Sequence, residues 1–188
     1  MRTRQSRRWT TCLVIAVTVG SAAGCGSAAE TSAPAVAPRA DAAGQRPSEA
    51  ERNAEKAALA AYSGYLEASR EASRKSDPRH PALTRFLADP LLTRVRMAIN
   101  ETRRHGALRT GTLRSDPAVT SVSLDSVPPT VQIQDCLDAT AYRLVYAKDQ
   151  RVVPGSGGSR HLATATATRY PDGRWLISTG AGHEDQPC

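Results

Sequence analysis

An α+β domain, with N-terminal helices packed on a strongly curved antiparallel sheet, is what the sequence predicts from three observations. Apolar residues between positions 48 and 105 recur at three- and four-residue spacing, the period of an amphipathic helix. From Ala107 onward the pattern changes to alternation, the period of a half-buried strand. Ser115-Asp116-Pro117, Val127-Pro128-Pro129 and Pro171-Asp172-Gly173 then divide the second half into pieces of strand length.

Residues 1–24 read as a secretory signal, not as part of that fold. Arg2, Arg4, Arg7 and Arg8 make a positive end, Cys12 to Val19 a short apolar run, and Ser21-Ala22-Ala23-Gly24 a set of small residues before Cys25. The run falls short of the ~20 apolar residues that a spanning helix needs. Ala22-Ala23-Gly24-Cys25 resembles the lipobox of bacterial lipoproteins, with Ala22 where Leu is usual. That resemblance implies a diacylglyceryl group on the Cys25 thiol, cleavage before Cys25 and an amino terminus open to acylation, for instance by palmitate. One acyl chain holds a protein marginally and two hold it stably, at about 0.8 kcal/mol per buried methylene. Ordinary secretion with cleavage near Ala23 is the alternative, and Ser6-Arg7-Arg8-Trp9 leaves both the general and the twin-arginine export routes open. The lipid reading places the protein on the extracytoplasmic face of the cell membrane, anchored to it.

Residues 25–47 are dominated by Ala, Ser, Gly and Pro, a composition with too little apolar surface to offset ordering entropy, and read as a flexible tether. Residues 48–188 remain as one domain, long enough to bury a core. The formal charge of +7 overstates its basicity, because loss of the four signal arginines reduces 25 basic residues to 21 against 18 acidic ones. Those Lys and Arg form no run with interleaved aromatics, so nucleic acid is not an expected partner.

In the domain, Ser48 and Glu51 form a capping-box pattern, and Ala54, Ala58, Ala61, Tyr62, Tyr65 and Ala72 line one face of a helix that fades by Asp77-Pro78. A short helix over 81–88 is expected to bury Leu83, Phe86 and Leu87. Asp89-Pro90 opens a third helix with Leu91, Leu92, Val95, Ala98 and Ile99 inside. Arg103, Arg104 and His105 complement its negative end, and Gly106 stops it, which makes His105 a helix-end cation. Strands are expected at 108–114, 118–125, 130–135, 139–147 and 161–170, with a return strand at 174–178. Gly155-Ser156-Gly157-Gly158 reads as a hairpin loop, and Pro171-Asp172-Gly173 as a hairpin turn.

Helices first and a long antiparallel meander after resemble the NTF2-like (cystatin-like cone) superfamily, chiefly through the last hairpin, Ala163 to Tyr170 followed by Pro171-Asp172-Gly173-Arg174-Trp175-Leu176-Ile177. The Ala-rich, lipobox-bearing layout is also similar to secreted lipoproteins of high-GC Gram-positive bacteria. The superfamily resemblance implies a bent sheet around a conical pocket over roughly 48–188, and, in its enzymes, an Asp-His pair or a carboxylate with a tyrosine deep inside. Candidates for such a set are Asp135, Asp138, Tyr142, Tyr146 and His161. Asp135 shares strand parity with Val131 and Ile133 and can point inward, whereas His161 beside the glycine loop is expected in solvent. His183, next to Glu184 and Asp185, is expected in a solvated tail. No catalytic residue is assigned on that basis. Tyr62, Tyr65, Phe86, Asp135, Tyr142, Tyr146 and Trp175 are the candidate pocket lining, with plain core packing as the competing role.

With Cys12 in the signal and Cys25 lipidated, Cys136 and Cys188 are the pair left to oxidise outside the cytosol. A metal pair or redox dithiol lacks a CxxC spacing or a His-rich companion, and no cofactor motif is present. The expected function is a lipid-anchored binding or accessory protein for a small molecule or a membrane protein. The alternatives are an extracytoplasmic isomerase- or dehydratase-like enzyme and a protein-docking module. An open pocket holding Asp135 beside a His or Tyr would favour the enzyme; a filled pocket with an exposed apolar sheet would favour docking.

Overall fold

Ser48 starts the first helix through a closed capping box: its hydroxyl accepts from the Glu51 amide (3.2 Å), and its own amide donates to the Glu51 carboxylate (2.6 Å). This is a computed structural model describing residues 46–188; the signal at 1–24, Cys25 and the tether up to residue 45 lie outside the described residues. The helix, α1, runs Glu49–Arg74. Its buried face is Ala54, Ala58, Ala61, Tyr62, Ala68 and Ala72. Alanine offers little apolar area, so what this face supplies is a close approach to the sheet.

Two shorter helices follow, α2 (Leu83–Phe86) and α3 (Leu91–Arg104). Asp89 serves the start of α3, its carboxylate accepting from the Thr93 amide (3.1 Å) and hydroxyl (2.6 Å). At the other end the His105 ring sits 2.8 Å from the Glu101 carboxylate, one helical turn back. The α1–α2 contact is made by a hole: a Cβ on Gly64 would lie 2.3 Å from the Phe86 ring. Glycine costs about 1 kcal/mol inside a helix, and here it is what lets the ring lie flush on α1. Gly64→Ala is therefore expected to destabilise by about 1–3 kcal/mol through overpacking, and Phe86→Leu in the same chain to recover part of it. Urea denaturation of the single and double variants would show this; an unchanged midpoint for Gly64→Ala would refute it.

Six strands follow: β1 (Ala107–Gly111), β2 (Pro117–Ser123), β3 (Thr130–Asp138), β4 (Tyr142–Tyr146), β5 (Arg160–Arg169) and β6 (Trp175–His183). They form two antiparallel sheets, β2-β3-β5-β6 and the separate pair β1-β4. The α+β class is as the sequence predicts. The simple meander is not, because β4 does not form a hairpin with β5: β5 crosses to β3, with Ile133 opposite Ala165 and Asp135 opposite Ala163. The small alanines of β5 fit beside the larger Val131 and Ile133, an alternation that fills a core without voids. Strand β4 pairs with β1 instead, where Gly111 (φ +110°) faces Tyr142 and a Cβ would lie 1.9 Å from the Ala141 carbonyl oxygen.

The core lies between the helices and the inner sheet face, where Leu83, Leu87, Leu91, Ile99, Val131, Ile133 and Ile177 join the alanines of α1 and β5. The opposite sheet face is polar, with Thr166 bonded to Gln132 (3.0 Å) and Thr168 to Ser178 (2.8 Å). Cys136 and Cys188 are joined by a disulfide with Cα atoms 5.8 Å apart, fixing the last residue to the end of β3. Residues 48–188 thus hold their own cap, core and cross-link. Among the described residues no helix is long and apolar enough to cross a membrane.

Candidate functional site

Tyr62 and Tyr65, on successive turns of α1 with ring centroids 5.8 Å apart, point into the space between helices and sheet and separate two different environments. Beneath Tyr62 lies Asp135, only 1% exposed and buried by the strand parity it shares with Val131 and Ile133. Its carboxylate accepts from the Tyr62 hydroxyl (2.9 Å) and the Ser115 hydroxyl (2.8 Å) at one oxygen, and from the Asp116 amide (2.7 Å) at the other. Burial first, and the Asp135 charge second, push the Tyr62 phenol far above its ordinary pKa, so it stays a donor. The network ties α1, the β1–β2 loop and β3 into one unit. Its donors fill the carboxylate, and neither Asp135 nor Tyr62 is open to a substrate.

Beyond Tyr65 is a cavity of about 160 Å³ at the junction of α1, α3 and β1. One wall is hydroxylic: Ser69 and Ser73 continue the Tyr65 face of α1 at helical spacing, and Ser76 joins them from just past the helix end. Val95, Ala98 and Ile99 of α3 form an apolar wall, and Arg109 of β1 supplies the cation. The Ser69 Oγ is buried with no hydrogen-bond partner among the described residues. Arg109 stacks over Tyr142, its Cζ 5.8 Å from the ring centroid, and has no carboxylate within salt-bridge distance among the described residues. Burial raises the Tyr65 phenol, opposed by the Arg94 charge, and likewise raises Tyr142, opposed by a Ser73 hydrogen bond and the Arg109 charge. Both phenols therefore remain protonated donors at neutral pH.

The structure scatters the rest of the aromatic set. Phe86 lies on Gly64, Trp175 packs half-buried against the core, and Tyr146 is 39% exposed at the end of β4. Tyr62 and Tyr65 also flank a smaller void of about 100 Å³ with Leu137, Ala163 and Gly182. Asp138, at the end of β3, is spent on the Thr140 amide and hydroxyl (3.0 and 2.6 Å), which hold its carboxyl below the usual range. Two histidines depart from expectation. His161 is buried, because it lies within β5 on the alanine face, with Nδ1 3.2 Å from Ser159. His183 lies within a longer β6, its Nε2 3.0 Å from the Thr164 hydroxyl, so the tail begins after it. Among the described residues no three His, Cys, Asp or Glu side chains group closely enough to hold a metal.

Ser69, Ser73, Val95 and Arg109 are the lining residues that a search for aromatics passes over. Their trace in the sequence is the stripe Tyr65-Ser69-Ser73, polar where a helix facing a core should be apolar.

No protein-family model matches the chain, and no curated protein matches it. Among solved structures it is similar to the intermembrane space region of the chloroplast protein ARC6, at 18% identity and a TM-score of 0.47, covering 72% of this chain and 98% of that one. At that score the likeness carries nothing over to this chain.

Proposed function

We propose that this is a lipid-anchored, extracytoplasmic binding protein, with its lipid on Cys25, residues 25–47 as spacer, and the α1–α3–β1 cavity holding a small acceptor-bearing molecule such as a carboxylate. The observation that supports it most directly is the buried Ser69 hydroxyl without a partner, in a cavity that also presents Tyr65 and the cation of Arg109. A buried donor left unmade costs about 1–3 kcal/mol, and an oxygen-rich ligand would recover that. In size the cavity suits a molecule of about benzene's bulk, since a void of ~150 Å³ holds benzene. The NTF2-like cone belongs to the same proposal; the helices-first order, the Gly173-Arg174-Trp175 hairpin and the register shifts in β2 and β6, which bend a sheet, support it.

One contact favours the second reading, an enzyme: a buried Asp135 bonded to a tyrosine. Its saturation by protein donors favours a structural role. An exposed apolar sheet would favour the docking reading; the outer face presents Thr166 and Gln132, which lends it no support.

Chain recovered from host membranes should begin at a diacylglyceryl-modified Cys25 by intact mass and, under native ionisation, retain a small molecule. Arg109→Gln should weaken retention about tenfold or more, as loss of a charge-assisted hydrogen bond does, while Tyr62→Phe leaves it unchanged. An unmodified thiol would end the anchor proposal. An empty chain that small carboxylates do not stabilise against heat would end the binding proposal.

A further inference from the structure

A second feature, on a face of α3 flanking the core stripe, belongs to neither the cavity nor the Asp135 network. It is an open groove between the end of α1 and α3, lined by Asp77, Arg79, Arg96, Met97, Asn100 and Arg103. Arg96, Asn100 and Arg103 follow one another at four- and three-residue spacing, so they share one face of α3. Arg79 reaches the same groove from the segment after α1.

Three guanidiniums here meet one carboxylate. That carboxylate, Asp77, is turned to its own segment and accepts from the Arg79 amide (2.9 Å). Among the described residues none of the three arginines has an acidic partner within salt-bridge distance, although six other Lys or Arg side chains pair with carboxylates across this domain. Arg103 donates only to the neutral Asn100 side chain (2.8 Å). The Arg96 Nε is buried and has no acceptor among the described residues. Beside them Met97 is 66% exposed, one of the few large apolar side chains left in solvent.

We infer that this groove is a docking surface for anionic phospholipid headgroups. Guanidinium groups suit phosphate because their planar fork donates two parallel hydrogen bonds to its oxygens. A headgroup phosphate would accept from the guanidinium groups that line the groove, while Met97 would meet the apolar boundary below the headgroups. Charge complementarity favours an anionic bilayer over a neutral one. The choice of a bilayer rests on the anchor proposed at Cys25, which would hold the domain beside that surface. The groove's role would be to lay the domain against the membrane in one orientation, with α3 towards the lipid.

The test uses residues 48–188, whose core, cap and disulfide are all internal, so that no acyl chain contributes. Sedimentation with vesicles of phosphatidylglycerol and phosphatidylcholine is compared with vesicles of phosphatidylcholine alone. Binding is expected to the anionic vesicles only and to fall as salt rises. Each arginine near such a surface is worth about fivefold in partition. Arg79→Gln/Arg96→Gln/Arg103→Gln should thus bind about 100-fold more weakly. Arg114→Gln/Arg143→Gln/Arg169→Gln removes the same charge elsewhere and should change binding little. Single Arg103→Gln, at an exposed position, is the fallback should the triple variant not fold, and should cost about fivefold.

Equal losses from the two triple variants would mean diffuse attraction and overturn the inference. So would equal binding to neutral vesicles, or no binding to either. If millimolar inorganic phosphate stabilises the domain through the same arginines and vesicles do not bind, the groove is a free-phosphate site and the lipid assignment falls. None of these outcomes depends on the state of Cys25, which intact mass reports separately.

Discussion

Asp135→Ala is expected to lower the stability of this domain by about 3–5 kcal/mol, and Asp135→Asn by about 1–2 kcal/mol. The gap between the two is the informative quantity. Removing the carboxylate strands the buried Tyr62 hydroxyl and takes the acceptor from the Ser115 hydroxyl and the Asp116 amide, which belong to exposed residues of the β1–β2 loop. Asparagine fills the same volume and can keep its carbonyl oxygen towards the Asp116 amide, which can only donate. Its NH₂ then faces the two hydroxyls, and both can rotate to accept. What asparagine loses is the extra strength of hydrogen bonds to a charged acceptor. Equilibrium denaturation in urea measures both changes. Equal costs for Ala and Asn would mean that the charge, not donor satisfaction, holds α1 to β3. A destabilisation below about 1 kcal/mol for Ala would mean that water reaches the site and that the sealed network described above is wrong.

That network also shows where the sequence is informative and where it stops. Asp135 is legible as inward-facing because a strand's side chains alternate with period two, and Val131 and Ile133 mark the buried face. Its partners are not legible: Tyr62 is 73 positions away, and only the packing of α1 on the sheet brings them together. The helix ends are largely legible, since capping and termination are local events at Ser48, Asp89 and Gly106. Even so, the helix expected over 81–88 narrows to Leu83–Phe86, and Ala98, expected inside, is exposed. Strand pairing is not local. Thr164 to Thr168 would suit a hairpin with β4 as well as a crossing to β3, and the choice falls to how alanines fill the core beside Val131 and Ile133. The histidines show the same limit. A glycine-rich loop before His161 suggests solvent, but register in β5 turns the ring to the alanine face. Arg109 escapes notice because a single cation in a strand looks like any solvated arginine until α1 and α3 close around it.

Loss of the Cys136–Cys188 bond is the other large effect expected, at about 4 kcal/mol for Cys188→Ser. The figure follows from topology. The bond spans 52 positions of sequence, and closing a loop of that length removes entropy mainly from the unfolded chain. It also has a local consequence. Leu162 donates to the Gln186 carbonyl (2.8 Å) and Gln186 to that of His183 (2.9 Å), so the last turn is held by few bonds besides the cross-link. Release should therefore free the residues after β6 before the rest, and hydrogen exchange should speed up at Gln186 while the amides of α1 keep their ranking relative to the global opening. The melting temperature of the oxidised chain should fall on reduction by an amount matching Cys188→Ser. If the substitution costs less than about 1 kcal/mol, the unfolded chain is already compact enough that the cross-link removes little from it. If exchange instead accelerates equally throughout, the bond acts on the whole domain as one cooperative unit, not on its terminal turn. The Asp135 network predicts a preference between these. It joins α1 to β3 at the residue next to Cys136, so the sheet should stay attached to the helices through Tyr62 even when the terminal turn is released.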